Sequence, residues 1–262
     1  MTPEIFTSVI NGYLPEPQAS LLNGIIFGIS LKTSKGFYDE LKIVGLLHLV
    51  VLSGTNITLL ITMIGQITRF FSKRTSVVIS MLTVIFFIAF VGPQAPVVRA
   101  GFMGILTLVA IIYGRKSLAI YSLLLSALFT LVFWPAWFKT LSFRLSYGAA
   151  LGLILFGKNE NNKGLIGYIK ADFRTSLAAQ VFTVPLIFLY FKQVSFISPV
   201  ANVLVSWLIA PLMVLGFATA ILGKINFVLG LIPAYLCHGL LTYMVFVVET
   251  LSRLPFAFFQ FK

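Results

Sequence analysis

The chain has 262 residues, of which 59% are hydrophobic and only 10% charged, and its mean hydropathy is +1.01. Soluble domains carry about 25% charged residues, so a soluble globular domain is excluded, as are a disordered chain, a collagen repeat and a disulfide scaffold. Nineteen Lys and Arg stand against seven Asp and Glu, a formal charge of +12. In a membrane protein such an excess first reads as loop charges that hold helix ends against anionic lipid. A cationic lining for an anionic substrate is the second reading. The composition predicts an all-α, polytopic membrane helix bundle with about eight spans, some helices being broken or re-entrant.

The start, MTPEIFTSVI, has Glu4 and no basic region, so it is not read as a signal peptide. Residues 19–31 are apolar but too short for a span of about 20 residues, and fit an interfacial or re-entrant helix. Gly24 and Gly28 are four apart there, which permits close helix contact. Spans are expected at 43–68, 76–91, 97–113, 118–134, 143–156, 175–191, 200–222 and 229–252. The first is interrupted at Ser53–Asn56 by four small or polar residues. The fourth ends on Trp134 and Trp137, where an aromatic belt belongs. The stretch 157–174 reads as a polar, charged loop. Over eight spans Lys and Arg divide almost evenly between the two sides, with a slight excess that puts both termini outside.

Polar residues inside apolar runs carry the functional signal. His48 lies in one such run with no carboxylate one turn away. Gly54 can break the helix, and Ser53 and Asn56 can serve the backbone groups so freed. This points to a pore or binding-site wall, or to a bent helix that pairs its own polar groups. Pro93 and Pro96 predict a tight turn and a helix start, with Arg99 in the opening turns. Arg99 either snorkels to headgroups or faces the bundle, where it attracts phosphate. Arg144 opens a run, with Ser146 just inside it. Ser176, Gln180 and Thr183 share one helix face, and Asn202 and Ser206 another. Glu249 and Arg253 are spaced for a structural ion pair. No HExxH, GxSxG or Walker A sequence occurs, and no carboxylate pair for acid–base work. Cys237 is the single cysteine and the two histidines are not clustered, so no metal, cofactor or enzymatic role is expected. Glu249 is the only candidate for an intramembrane carboxylate, which favours a conduit over a coupled pump.

Four clusters, in this order, resemble the competence domain of the ComEC/Rec2 family, the inner-membrane channel for DNA uptake in transformable bacteria. They are Gly45-Leu-Leu-His48 through Ser53-Gly54-Thr-Asn56; Gly92 with Arg99-Ala100; Phe143-Arg144-Leu-Ser146-Tyr-Gly; and Ser176-Leu-Ala-Ala-Gln180 through Pro185, with Gln193, Ser195, Pro199 and Asn202 following. The resemblance covers about residues 14–215. Asn56 stands where the family commonly has His, Pro96 where it has Ser, and Arg144 where it has Gln.

The resemblance implies a multi-pass channel of the bacterial inner membrane that passes single-stranded DNA inward. It divides the chain into an N-terminal entry segment, 1–40, and a competence-type channel domain, 41–262. His48, Ser53, Gly54, Asn56, Arg99, Arg144, Ser146, Gln180 and Asn202 are the candidates for the substrate path. Expected partners are single-stranded DNA, anionic lipids, and a cytoplasmic motor with external DNA-receptor or nuclease proteins in trans. A homo-oligomer is compatible with this reading. Relatives commonly carry an oligonucleotide-binding-like domain and a metallo-β-lactamase-like domain, and no His/Asp cluster for the latter occurs here. The competing expectation is a small-molecule or lipid transporter of the same fold.

Overall fold

The computed structural model describes residues 3–157, 164–254 and 258–260. Twelve helices follow in order: α1 Glu4–Tyr13, α2 Gln18–Phe27, α3 Lys35–Val44, α4 Leu47–Val50, α5 Gly54–Ile67, α6 Lys73–Val91, α7 Ala95–Ile112, α8 Ala119–Phe133, α9 Leu141–Phe156, α10 Leu165–Phe191, α11 Ser198–Ile225 and α12 Phe227–Ser252. A 3-10 turn at Pro135–Lys139 joins α8 to α9. The departure from an all-helical chain is a two-stranded antiparallel ribbon, β1 Gln193–Ser195 and β2 Phe258–Gln260, with Val194 opposite Phe259.

The helix starts follow from capping chemistry. The hydroxyls of Ser34, Ser72 and Thr140 accept from the backbone N–H groups of Phe37, Thr75 and Phe143 at the starts of α3, α6 and α9. The Asn226 side chain does the same for Val228 at α12. Each satisfies an amide that the first turn leaves without a helical partner. Gln94 stands at the N-cap position of α7 without a side-chain hydrogen bond to it, and a proline occupies the first turn, as the Pro93–Pro96 spacing predicts.

Among the described residues, five helices are long and apolar enough to cross a bilayer: Lys73–Val91, Ala95–Ile112, Ile169–Phe191, Ser198–Ile225 and Phe227–Ser252. Four shorter apolar helices, Gln18–Phe27, Gly54–Ile67, Ala119–Phe133 and Leu141–Phe156, accompany them. The expected first run, 43–68, is not one helix. It divides into the end of α3, the single turn α4, and α5, because Gly45 closes α3 in the left-handed conformation (φ 77°) and Val51 is extended. A side chain at Gly45 would also meet Ser198, with its Cβ 2.8 Å from that of the serine, so both backbone and space require glycine. The expected polar loop at 157–174 is also shorter. Residues 158–163 lie outside the described residues, and α10 has already begun at Leu165.

The chain forms two compact units that interleave in sequence. Unit 1 takes residues 1–52, 161–176 and 187–262, and unit 2 takes 53–160 and 177–186. In unit 1, α11 and α12 form an antiparallel hairpin around buried Leu208, Leu212, Met213, Leu241 and Met244. Helix α2 is buried along almost its whole length. A Cβ on Gly24 would collide with the Val50 carbonyl oxygen, and one on Gly216 with Ile26. The Tyr13 hydroxyl donates to the Phe227 carbonyl at 2.7 Å, and the two rings stack at 4.7 Å.

In unit 2, α5, α6, α7 and α8 pack in succession around Ile57, Val84, Val97 and Val98. A Cβ on Gly152 of α9 would collide with the Ala178 carbonyl of α10. Helix α8 is inverted relative to a soluble helix. Ser122, Ser126 and Thr130, spaced four apart, are buried, while Tyr121, Leu124, Leu128 and Val132 face outward. Lipid tolerates such an apolar exterior and water does not. The molecule is an all-α membrane helix bundle.

Candidate functional site

The strongest cluster of expected site residues lies in unit 2, where three helices meet around one guanidinium. Arg99 sits in the second turn of α7. Its Nε donates to the Ser146 hydroxyl of α9 at 2.9 Å, and Nη1 approaches the Met103 sulfur at 3.6 Å. Nη2 lies over the first residue of α5, so that a Cβ on Gly54 would stand only 2.6 Å from it, and 3.2 Å from the Ala100 methyl. Gly54 therefore lets the guanidinium reach the α5 N-terminus. Ser53, extended at φ −113°, precedes that helix, and its hydroxyl donates to the Asn56 carboxamide oxygen at 3.1 Å. Asn56 is 1% exposed. It belongs to α5 with Gly54 and Thr55, so the expected interruption at Ser53–Asn56 ends three residues earlier and falls at Val51–Ser53.

The electrostatics of this cluster are one-sided. Six acidic residues are described, and all six, Glu4, Glu16, Asp39, Glu40, Asp172 and Glu249, belong to unit 1. Among the described residues of unit 2 there is no Asp or Glu. Among the described residues, Arg99 therefore has no carboxylate in its own unit. It also faces the end of α5 where the peptide dipoles place partial positive charge. A half-buried cation in such surroundings favours an anion.

Met103 continues the cluster into a cavity of about 470 Å³, lined also by Thr107, Ile111, Arg115, Lys116, Ser117, Ala119 and Ser122. Arg99, Met103, Thr107 and Ile111 follow at i+4 steps, so one face of α7 runs from the guanidinium to this basic cavity. The cavity is not legible in the sequence, where Arg115 and Lys116 follow the apolar run 97–113 as ordinary loop charges would. The i+4 series on α7 was the signal available.

The remaining candidates are distributed as follows. Arg144 is exposed at the start of α9, its Nε 3.5 Å from the Phe138 carbonyl. Gln180 is half-buried in the part of α10 that belongs to unit 2. His48 belongs to unit 1, in the single turn α4, with Nδ1 3.0 Å from the Gly45 carbonyl. Asn202 is also in unit 1, where its Nδ2 donates to the Ser176 hydroxyl at 2.7 Å. One turn away the Ser206 hydroxyl donates to Asp172 Oδ2 at 2.8 Å. The expected Glu249–Arg253 pair does not form: among the described residues no ion pair or hydrogen bond joins their side chains. The helix end there is served by the Ser252 hydroxyl, which donates to the Glu249 carbonyl.

Residues 25–262 match the family described as Competence protein. The chain belongs to the competence protein family. The match covers the clusters that carried the resemblance, from Gly45 to Asn202. An uncharacterized protein of Aquifex aeolicus (strain VF5) is 29% identical to this competence protein over 184 residues, 70% of this chain. The chain spans 41% of that relative's length. No solved structure matches.

Proposed function

We propose that this competence protein is a non-enzymatic conduit of the bacterial inner membrane, crossing it several times and passing single-stranded DNA inward. The observation that supports the reading best is Arg99. It is held by Ser146, placed against Gly54 at a helix N-terminus, and lies in a unit with no described acid. A phosphodiester supplies the missing negative charge, and the guanidinium can bind it in bidentate fashion. The face of α7 that leads to Arg115 and Lys116 offers further phosphate contacts spaced along a chain. A cytoplasmic motor would supply the driving force, with external DNA-receptor or nuclease proteins acting in trans.

The test is flux of labelled single-stranded DNA into vesicles holding the reconstituted protein, with the motor added where passive flux is absent. Wild type is expected to pass DNA, Arg99→Ala to pass far less, and Arg99→Lys to retain an intermediate rate. Equal flux through wild type and Arg99→Ala at equal protein level would reject the assignment. A second reading is transport of a small anionic solute, favoured by the cavity of about 470 Å³. That is within the size range of small-molecule sites, about 300–1,000 Å³. Solute flux without DNA flux would select it.

A further inference from the structure

A polar seam in unit 1 has no part in the reading above. It joins α10 to α11 through two cross-links related by one helical turn. Asp172 and Ser176 are four apart on α10, and Asn202 and Ser206 are four apart on α11. Because the helices run antiparallel at this point, Asp172 meets Ser206 and Ser176 meets Asn202, at 2.8 and 2.7 Å. Asp172 lies within the apolar stretch Ile169–Phe191, and both serines and Asn202 lie in helices able to span a bilayer.

The seam is incompletely satisfied. Asn202 is 8% exposed, and its Nδ2 is committed to Ser176, yet its Oδ1 is buried with no hydrogen-bond donor among the described residues. Asp172 is half-buried, receives the Ser206 hydroxyl, and forms no ion pair with a described Lys or Arg. A carboxylate in an apolar span with no cation beside it is costly, as is a buried carbonyl oxygen with no donor. Both deficits are of one kind: among the described residues the Asp172 carboxylate has no cation and Asn202 Oδ1 no donor.

We infer that this seam binds a monovalent alkali cation of about sodium's size. Asp172 supplies the one formal charge, and the Ser206 hydroxyl, the Ser176 hydroxyl and Asn202 Oδ1 supply neutral oxygens. Residues one turn apart stand about 5–6 Å from each other. That is close to twice the oxygen distance of about 2.3–2.6 Å kept by an ion of calcium's radius, which sodium nearly shares. One cation between the two cross-links can therefore reach both. A single carboxylate balances a single positive charge, whereas a divalent ion would leave one charge uncompensated in a dry setting. Asp172 and Ser206 are half-exposed, while Ser176 and Asn202 are buried. The charged ligand thus stands with Ser206 at the more exposed end of the seam, and Ser176 and Asn202 at the buried end. The inference rests on unit 1 alone and is independent of the role given to Arg99.

The experiment is thermal unfolding of the purified full chain in lipid nanodiscs, titrated with NaCl or KCl against choline chloride at constant ionic strength. Ligand that binds only the folded state raises the midpoint saturably. Wild type is expected to show this with Na+ or K+ and not with choline. Asp172→Asn is expected to abolish the response, and Asn202→Ala to move its half-saturation at least tenfold higher (about 1.4 kcal/mol per tenfold). Should Asp172→Asn fail to fold, Asn202→Ala decides. A flat response of folded wild type, a response retained in full by either variant, or saturation by micromolar Ca2+ instead would each overturn the assignment. A purely structural seam would lower the midpoint of both variants equally in every salt, and that outcome overturns it too.

Discussion

The two units are built from similar helices but spend them differently. In unit 1, 44% of the apolar window of α11 and 39% of that of α12 are buried, against 22% for α6 and 28% for α7 in unit 2. Unit 1 also holds every described acidic residue, whereas the described residues of unit 2 carry only positive formal charge. Dense packing and balanced charge are what a stable frame needs. Sparse packing and unbalanced charge cost stability, and are kept where a surface has to meet something else. On the proposed reading, unit 1 is the frame and unit 2 is the part that meets the anionic substrate.

Substitutions can break or sharpen this contrast. Leu212, fully buried in α11, is expected to lose about 2–5 kcal/mol on change to alanine, the range for a cavity in a tight core. Denaturant unfolding in detergent micelles measures it, and a mild effect would remove the packing half of the comparison. Arg99→Ala is next. A hydrogen bond to a charged group contributes about 1.5–3 kcal/mol, so DNA flux or binding is expected to fall about 10- to 100-fold with the protein still folded. Thr140→Ala removes the hydroxyl that accepts from Phe143 N–H at 3.3 Å, and about 1 kcal/mol of cap stabilisation at α9, read as a lower unfolding midpoint. Leu124→Ala, on the outward face of α8 where the side chain is 59% exposed, is expected to stay within about 0.5 kcal/mol. If Leu124 proved as costly as Leu212, that outward face would be packed against protein rather than lipid.

The parts of the fold that sequence made legible were those with local causes. The prolines at 93 and 96 mark the start of α7, because proline chemistry acts within a few residues, and the small polar residues from Ser53 mark a break in the 43–68 run, although that break ends at Ser53. Arg99, Ser146 and Gly54 could be named individually for the same reason. Their meeting could not be read, since Arg99 and Ser146 are 47 residues apart and only the packing of α7 on α9 brings them together. Asp172 was misplaced in a loop because Lys170, Asp172 and Arg174 lower the local hydropathy. The helix continues through them since Leu165–Phe191 contains good helix formers, and the Ser206 hydroxyl donates to the Asp172 carboxylate. The left-handed turn at Gly45 was hidden too, because glycine is frequent in membrane helices and only the contact with Ser198 shows why this one is required.

The hydroxyls on the inner face of α8 bear on how the protein is made. Ser126 donates to the Leu123 carbonyl and Thr130 to the Ser126 carbonyl. Thr62, Ser80, Thr107, Thr183 and Thr219 likewise donate to the carbonyl four residues back. These groups are satisfied within their own helix before any neighbour is present. A newly synthesised segment can therefore leave the translocon for the lipid alone with none of these hydroxyls stranded, and find its partners afterwards by lateral diffusion.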